Sequence, residues 1–201
     1  MKNKINIMML IASVLVAGAF IFPIWSISLT APQYPEGLGL YIFVNKIDGH
    51  KPNDVQSING LNHYIGMKQI HPDDIQELKI MPYFIGFMIV FGLLAGFINQ
   101  RKLIAGWVFI FLGAAIYGMY DFWQWEYDYG HNLDPKAIIK IPGMSYQPPL
   151  IGSKQLLNFN AVSLPAPGAV FIGVAIILAV ISFLMVKKFN TCNHLDKFKV
   201  K

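Results

Sequence analysis

Four apolar runs, about Ile5–Ile27, Tyr83–Ile98, Leu103–Tyr120 and Ala169–Val186, leave few architectures open to this chain. A helix needs roughly 20 apolar residues, about 17–25, to cross a bilayer. The second run is short by that measure, and Met81 and Pro82 can extend it. Charged residues make up 13% of the 201, about half the share usual in a soluble domain. The expected fold is an all-α membrane protein, a single integral membrane domain over residues 1–201 with four transmembrane helices. Two long loops, about 28–80 and 121–168, would form a small cap outside the bilayer, and residues 187–201 a tail.

Charge placement orients these spans. Lys2 and Lys4 precede the first, Arg101 and Lys102 sit between the second and third, and Lys187, Lys188, Lys197, Lys199 and Lys201 follow the fourth. Those nine basic residues face a single acid, Asp196, whereas the two long loops hold seven basic residues and ten acids. The positive-inside rule then places both termini in the cytoplasm and both loops on the extracytoplasmic side. The basic balance reflects topology and is not the footprint of a nucleic-acid partner. The first run exceeds the 7–15 apolar residues, roughly, of a cleaved signal peptide, so it is expected to stay as an anchor.

The spans carry no charged residue in their middle, which argues against an ion or proton path through the bilayer. Gly92 and Gly96, and Ala114 and Gly118, have the small-xxx-small spacing that lets helices approach. Glycine-rich phosphate loops, Gly-x-Ser-x-Gly, His-Glu-x-x-His and Cys-x-x-Cys are missing from the sequence. The chain is therefore not expected to be an enzyme. Cys192, the only cysteine, falls in the tail and reads as a free thiol.

The chemistry worth following lies in the loops. His63, Met67 and His71 are four residues apart, so a continuous helix would line them up on one face. Thioether sulfur favours Cu(I), and imidazole also suits copper. His131 and Met144, in the second loop, are candidate completing ligands. Zinc held by three histidines with Glu77 or Asp74 is the competing metal reading. The plain alternative is that Met67 and Met144 fill gaps in apolar packing. His50 reads as solvated in a polar turn, and His194 as a bystander in the basic tail.

Asp54–Ile70 reads as a helix with an apolar face, and Pro72 opens a second one that runs on toward the second span. Leu40–Val44 reads as a short extended piece, and the proline-rich second loop as irregular but packed backbone. The run Tyr120–Tyr129 reads as an interfacial aromatic belt, with Asp121, Glu126 and Asp128 set where a cationic ligand would arrive.

Leu61-Asn62-His63-Tyr64-Ile65-Gly66-Met67, Tyr129-Gly130-His131-Asn132-Leu133-Asp134-Pro135 and Pro142-Gly143-Met144-Ser145-Tyr146-Gln147-Pro148-Pro149-Leu150-Ile151-Gly152 resemble a family of small bacterial membrane proteins. That family is associated with gene neighbourhoods for nitrous-oxide reductase maturation and copper delivery. The resemblance implies an accessory role in the bacterial inner membrane: holding or passing copper outside the cytoplasm to a periplasmic copper enzyme or chaperone. It would carry copper binding onto His63, Met67, His131 and Met144. A metal-free scaffolding subunit of a membrane complex is the alternative function.

Overall fold

The computed structural model describes residues 2–139 and 141–199, with side chains for 4–139 and 141–186. The side chains of the expected tail, Cys192 and His194 among them, lie outside the described residues. Five helices and five strands alternate along the chain: α1 Lys2–Ala17, β1 Trp25–Ala31, β2 Tyr34–Ile42, β3 Ile47–Gly49, α2 Asp54–Ile65, α3 Gln76–Ile98, α4 Arg101–His131, β4 Gly152–Leu156, β5 Phe159–Pro165 and α5 Pro167–Lys199. An all-α fold is therefore corrected, because the segments between the long helices build a five-stranded antiparallel sheet of order β3-β2-β1-β5-β4.

Among the described residues, three helices are long and apolar enough to cross a membrane: Gln76–Ile98, Arg101–His131 and Pro167–Val186. α1 is shorter. Its run continues only through a 3-10 turn at Gly18–Phe20, and Trp25–Ile27, assigned to the first span by hydropathy, is strand instead. The cause is legible in Trp25-Ser26-Ile27-Ser28-Leu29, where apolar and small polar residues alternate with the period of a half-buried strand. α1 packs between α3 and α5, and α4 packs against α3 and α5. Gly92 and Gly96 admit this approach: a Cβ on Gly92 would strike the Ser13 hydroxyl and the Trp107 indole, and one on Gly96 would lie 3.2 Å from Met9 Cβ. The Trp107 indole N–H donates to the Met88 carbonyl at 2.8 Å and ties α4 to α3. The Ala114/Gly118 pair makes no such contact, since Gly118 faces open space.

The sheet sits at the end of the bundle where α1 and α4 finish and α3 and α5 begin. Both long interhelical segments feed it. β1, β2 and β3 come from the first, β4 and β5 from the second, and β1–β5 pairing joins them, with Ile27 opposite Ser163. Trp25 seals the join, its indole N–H donating to Ser163 Oγ at 2.8 Å while its ring meets Phe122 of α4 edge-on at 5.4 Å. Irregular backbone was expected across the second segment. Strands form there because Ala161 and Ser163 alternate inward against β1.

α2 closes over the inner face of the sheet through Ile58, with Val55 and Leu61 beside it, packing with Ile27, Leu38 and Leu40. The turn before it is held by Asp54, which is buried and accepts the Gly39 N–H at 3.0 Å and the Lys51 N–H at 3.2 Å. Asp54→Ala leaves two donors without that acceptor and is expected to cost about 1–3 kcal/mol. Denaturant titration of the purified protein checks this, with Asp54→Asn giving a smaller loss.

Candidate cap cavity and site residues

The helical stripe predicted for His63, Met67 and His71 does not form. α2 stops at Ile65, and Gly66 takes a left-handed φ of 81° that turns the chain away. The Met67 N–H donates back to the Asn62 carbonyl at 2.9 Å, and the Asn62 amide donates to the Lys68 carbonyl at 3.1 Å. Glycine is required at 66 for a second reason: a Cβ there would lie 2.8 Å from Ala137 Cβ and 3.0 Å from the Asp134 backbone. A glycine in this conformation is the ordinary end of a helix, and Gly66 was the sequence signal against a helix running to Ile70.

His63 is exposed near the end of α2, its ring beside that of Tyr64. His71 is exposed at the start of a 3-10 turn, Pro72–Asp74, where its carbonyl accepts the Asp74 N–H. His131 closes α4, exposed, with its ring stacked on Tyr127 at 4.0 Å. Met144 is half-buried in a turn closed by its own N–H on the Ile141 carbonyl. Met67 is half-buried and lines a cavity. Among the described residues, no three or more His, Cys, Asp or Glu side chains gather to hold a metal ion, so the zinc set of three histidines with Glu77 or Asp74 is not assembled. His50 is not a freely solvated turn residue either. It lies 4.0 Å from the Tyr41 ring, its Nε2 is 3.0 Å from Ser26 Oγ, and burial pulls its pKa down.

The structure does bring the two loop segments together. The Asp134 N–H donates to the Gly66 carbonyl at 2.8 Å, the Ile139 N–H to the Tyr64 carbonyl at 2.9 Å, and the Tyr129 hydroxyl to the Gln69 carbonyl at 3.1 Å. A Lys68–Asp128 ion pair adds to these. The stretch carrying His63 and Met67 is thus fastened to the stretch that follows His131.

Between them lies a partly open cavity of about 80 Å³. Its walls are the inner face of the sheet, α2, the end of α4 and the segment after it, and they are almost wholly apolar. Of the polar side chains in that lining, Asn62, Glu126, Tyr129 and Tyr146, two stand without partners. Glu126 is 0% exposed and neither carboxylate oxygen has a hydrogen-bond partner among the described residues; Tyr146 is 2% exposed and its hydroxyl likewise has none among them. α4 rises about 46 Å over its 31 residues, well beyond a hydrocarbon core of about 30 Å. One face of its last third, with Phe122, Trp125 and Tyr129 around Glu126, packs on the sheet. Burial pushes the Glu126 carboxyl up to about 8, against a smaller opposing pull from Lys154.

Sequence reading placed Glu126 among exposed acids and did not single out Tyr146. The signal for Glu126 was its helical position: Phe122, Trp125, Glu126 and Tyr129 share one face, and Phe122, Trp125 and Tyr129 pack on the sheet cluster. The opposite face carries Tyr120, Trp123, Tyr127 and His131 as a ladder of neighbouring rings. No known protein family, curated protein or solved structure matches the chain.

Proposed function

We propose that this chain is an accessory protein of the bacterial inner membrane that binds or passes copper on the extracytoplasmic side, for the maturation of a periplasmic copper enzyme. The observation that carries the reading is the fastening of residues 64–66 to residues 134–139, which sets the His63–Met67 stretch beside the one that follows His131. Exposure of His63 and His131 suits exchange with an incoming donor. α1 completes the membrane domain as a fourth crossing with both termini cytoplasmic. Its exposed apolar face, Ile7, Ile11 and Val14, and its place between α3 and α5 support that assignment.

The test is Cu(I) competition against a chromogenic chelator, using the detergent-solubilised protein. Stoichiometric binding is expected for the wild type. It is expected to fall at least about tenfold in His63→Ala/Met67→Ala, since loss of even one ligand interaction worth about 1.4 kcal/mol has that effect. Absence of wild-type binding overturns the reading. A metal-free scaffold is the second reading, favoured by the exposed ring ladder on α4. Cross-linking that captures a partner in a protein without copper affinity would select it.

A further inference from the structure

We infer that the cap cavity is a binding site for the carbonyl-bearing end of a neutral, lipid-like molecule, held by hydrogen bonds from Glu126 and Tyr146. Two orphaned polar side chains, both more than nine-tenths buried, share one apolar chamber. Polar groups without partners are costly in such surroundings, and a fold keeps them where something else completes them. The cavity holds two or three waters at about 30 Å³ each, and is smaller than the roughly 150 Å³ that takes benzene. It therefore fits the end of a chain and not a whole lipid, and its open side leaves room for the rest.

Charge selects the ligand class. A neutral Glu126 carboxyl donates a hydrogen bond, as does the Tyr146 hydroxyl, and both seek acceptor oxygens. The charged or titratable groups around Glu126 are Lys154 from β4, Tyr129 on its own helix and Tyr146 from the segment after α4. Lys154 is the only cation in that set and disfavours a cationic ligand. Asn62 and Tyr129 also line the cavity but donate to the Lys68 and Gln69 carbonyls, and the other walls, including Ile27, Leu40 and Phe159, offer apolar contact. Acyl esters and alkylated quinones both present carbonyl oxygens on an apolar body, and the site's chemistry is common to both. The cavity shares Met67 with the proposed copper ligands, but Glu126 and Tyr146 do not belong to that set, so their variants test this inference separately from copper binding.

Native mass spectrometry of the full chain released from detergent tests it, with dioctanoylglycerol and a decyl-substituted benzoquinone as the two probes. Binding of either probe is expected, and which one binds names the source. Tyr146→Phe and Glu126→Leu should each lower occupancy at least about fivefold. Glu126→Gln, which keeps a donor of the same size, should retain binding. Wild-type affinity should drop about tenfold from pH 7 to pH 9 as the carboxyl loses its proton, and Glu126→Gln should not show that drop. Circular dichroism confirms that each variant is folded. The inference is overturned if neither probe binds, which leaves buried water only, if Glu126→Leu and Tyr146→Phe bind as the wild type does, or if a long-chain amine binds in their place.

Discussion

Glu126→Leu is expected to melt roughly 10 °C above the wild type at pH 8, and only a few degrees above it at pH 5. Folding lifts the Glu126 carboxyl from 4.5 to about 8, so the folded chain holds a proton that the unfolded chain has released. Stability from this group is greatest below about pH 4.5 and is lost as pH rises toward 8. At about 1.4 kcal/mol per pH unit, the loss reaches about 4–5 kcal/mol by pH 8. A chain of this length gains about 2–4 °C per kcal/mol. Leucine fills a similar volume, suits the apolar lining and needs no partner. Thermal melts of the detergent-solubilised protein between pH 5 and pH 8.5 check the result. A gap that does not widen with pH would show that Glu126 is not the titrating group. Glu126→Gln should also flatten the pH dependence while leaving a smaller gain, because the amide still lacks partners.

Gly130→Ala is expected to have the opposite sign and comparable size, a loss of at least about 3 kcal/mol. The last turn of α4 meets the segment after it backbone to backbone: the Tyr146 N–H donates to the Gly130 carbonyl at 2.9 Å, and a Cβ on Gly130 would fall on the Gln147 nitrogen and Cα. A main-chain obstacle cannot rotate aside as a flexible side chain can, so the two segments must part, and overpacking of this kind ordinarily costs about 1–3 kcal/mol or more. Gly118→Ala, on the same helix with nothing within 4 Å of its Cβ, supplies the control and should be neutral or slightly stabilising. Faster proteolysis between residues 131 and 151 in Gly130→Ala alone would confirm that the contact secures this wall of the cavity.

The long apolar helices were legible because hydropathy accumulates over twenty residues. The sheet was not, and the reasons are local. Trp25–Ile27 continues an apolar run without a break in hydropathy, so its change of period from helix to strand is masked by composition. β4 and β5 hold few long apolar side chains, and their pairing depends on β1, more than a hundred residues away. That the two loop segments pack together was legible from the apolar residues interleaved in the second, but which backbone groups fasten them was not. For the candidate site, Met67 was read as part of a helix over Asp54–Ile70, but the helix that would have aligned it with His63 and His71 is ended by Gly66. Glu126 shares a helical face with three aromatic residues, and its burial could have been read from that spacing. Tyr146 could not, since no periodic element surrounds it.

The pairing of β1 with β5 also sets an order of events during biosynthesis. β1 leaves the ribosome directly after α1, and one of its edges is covered early by β2. Its other edge waits for β5, which is made only after α4 and lies just before the final helix. A chain halted after α4 would therefore present β1 as an open strand edge, a template for pairing with other chains. Completion of the last cap strand is the step that closes this edge, so truncations before Phe159 are expected to be disposed of by aggregation or quality control, whatever their remaining helices can do in the membrane.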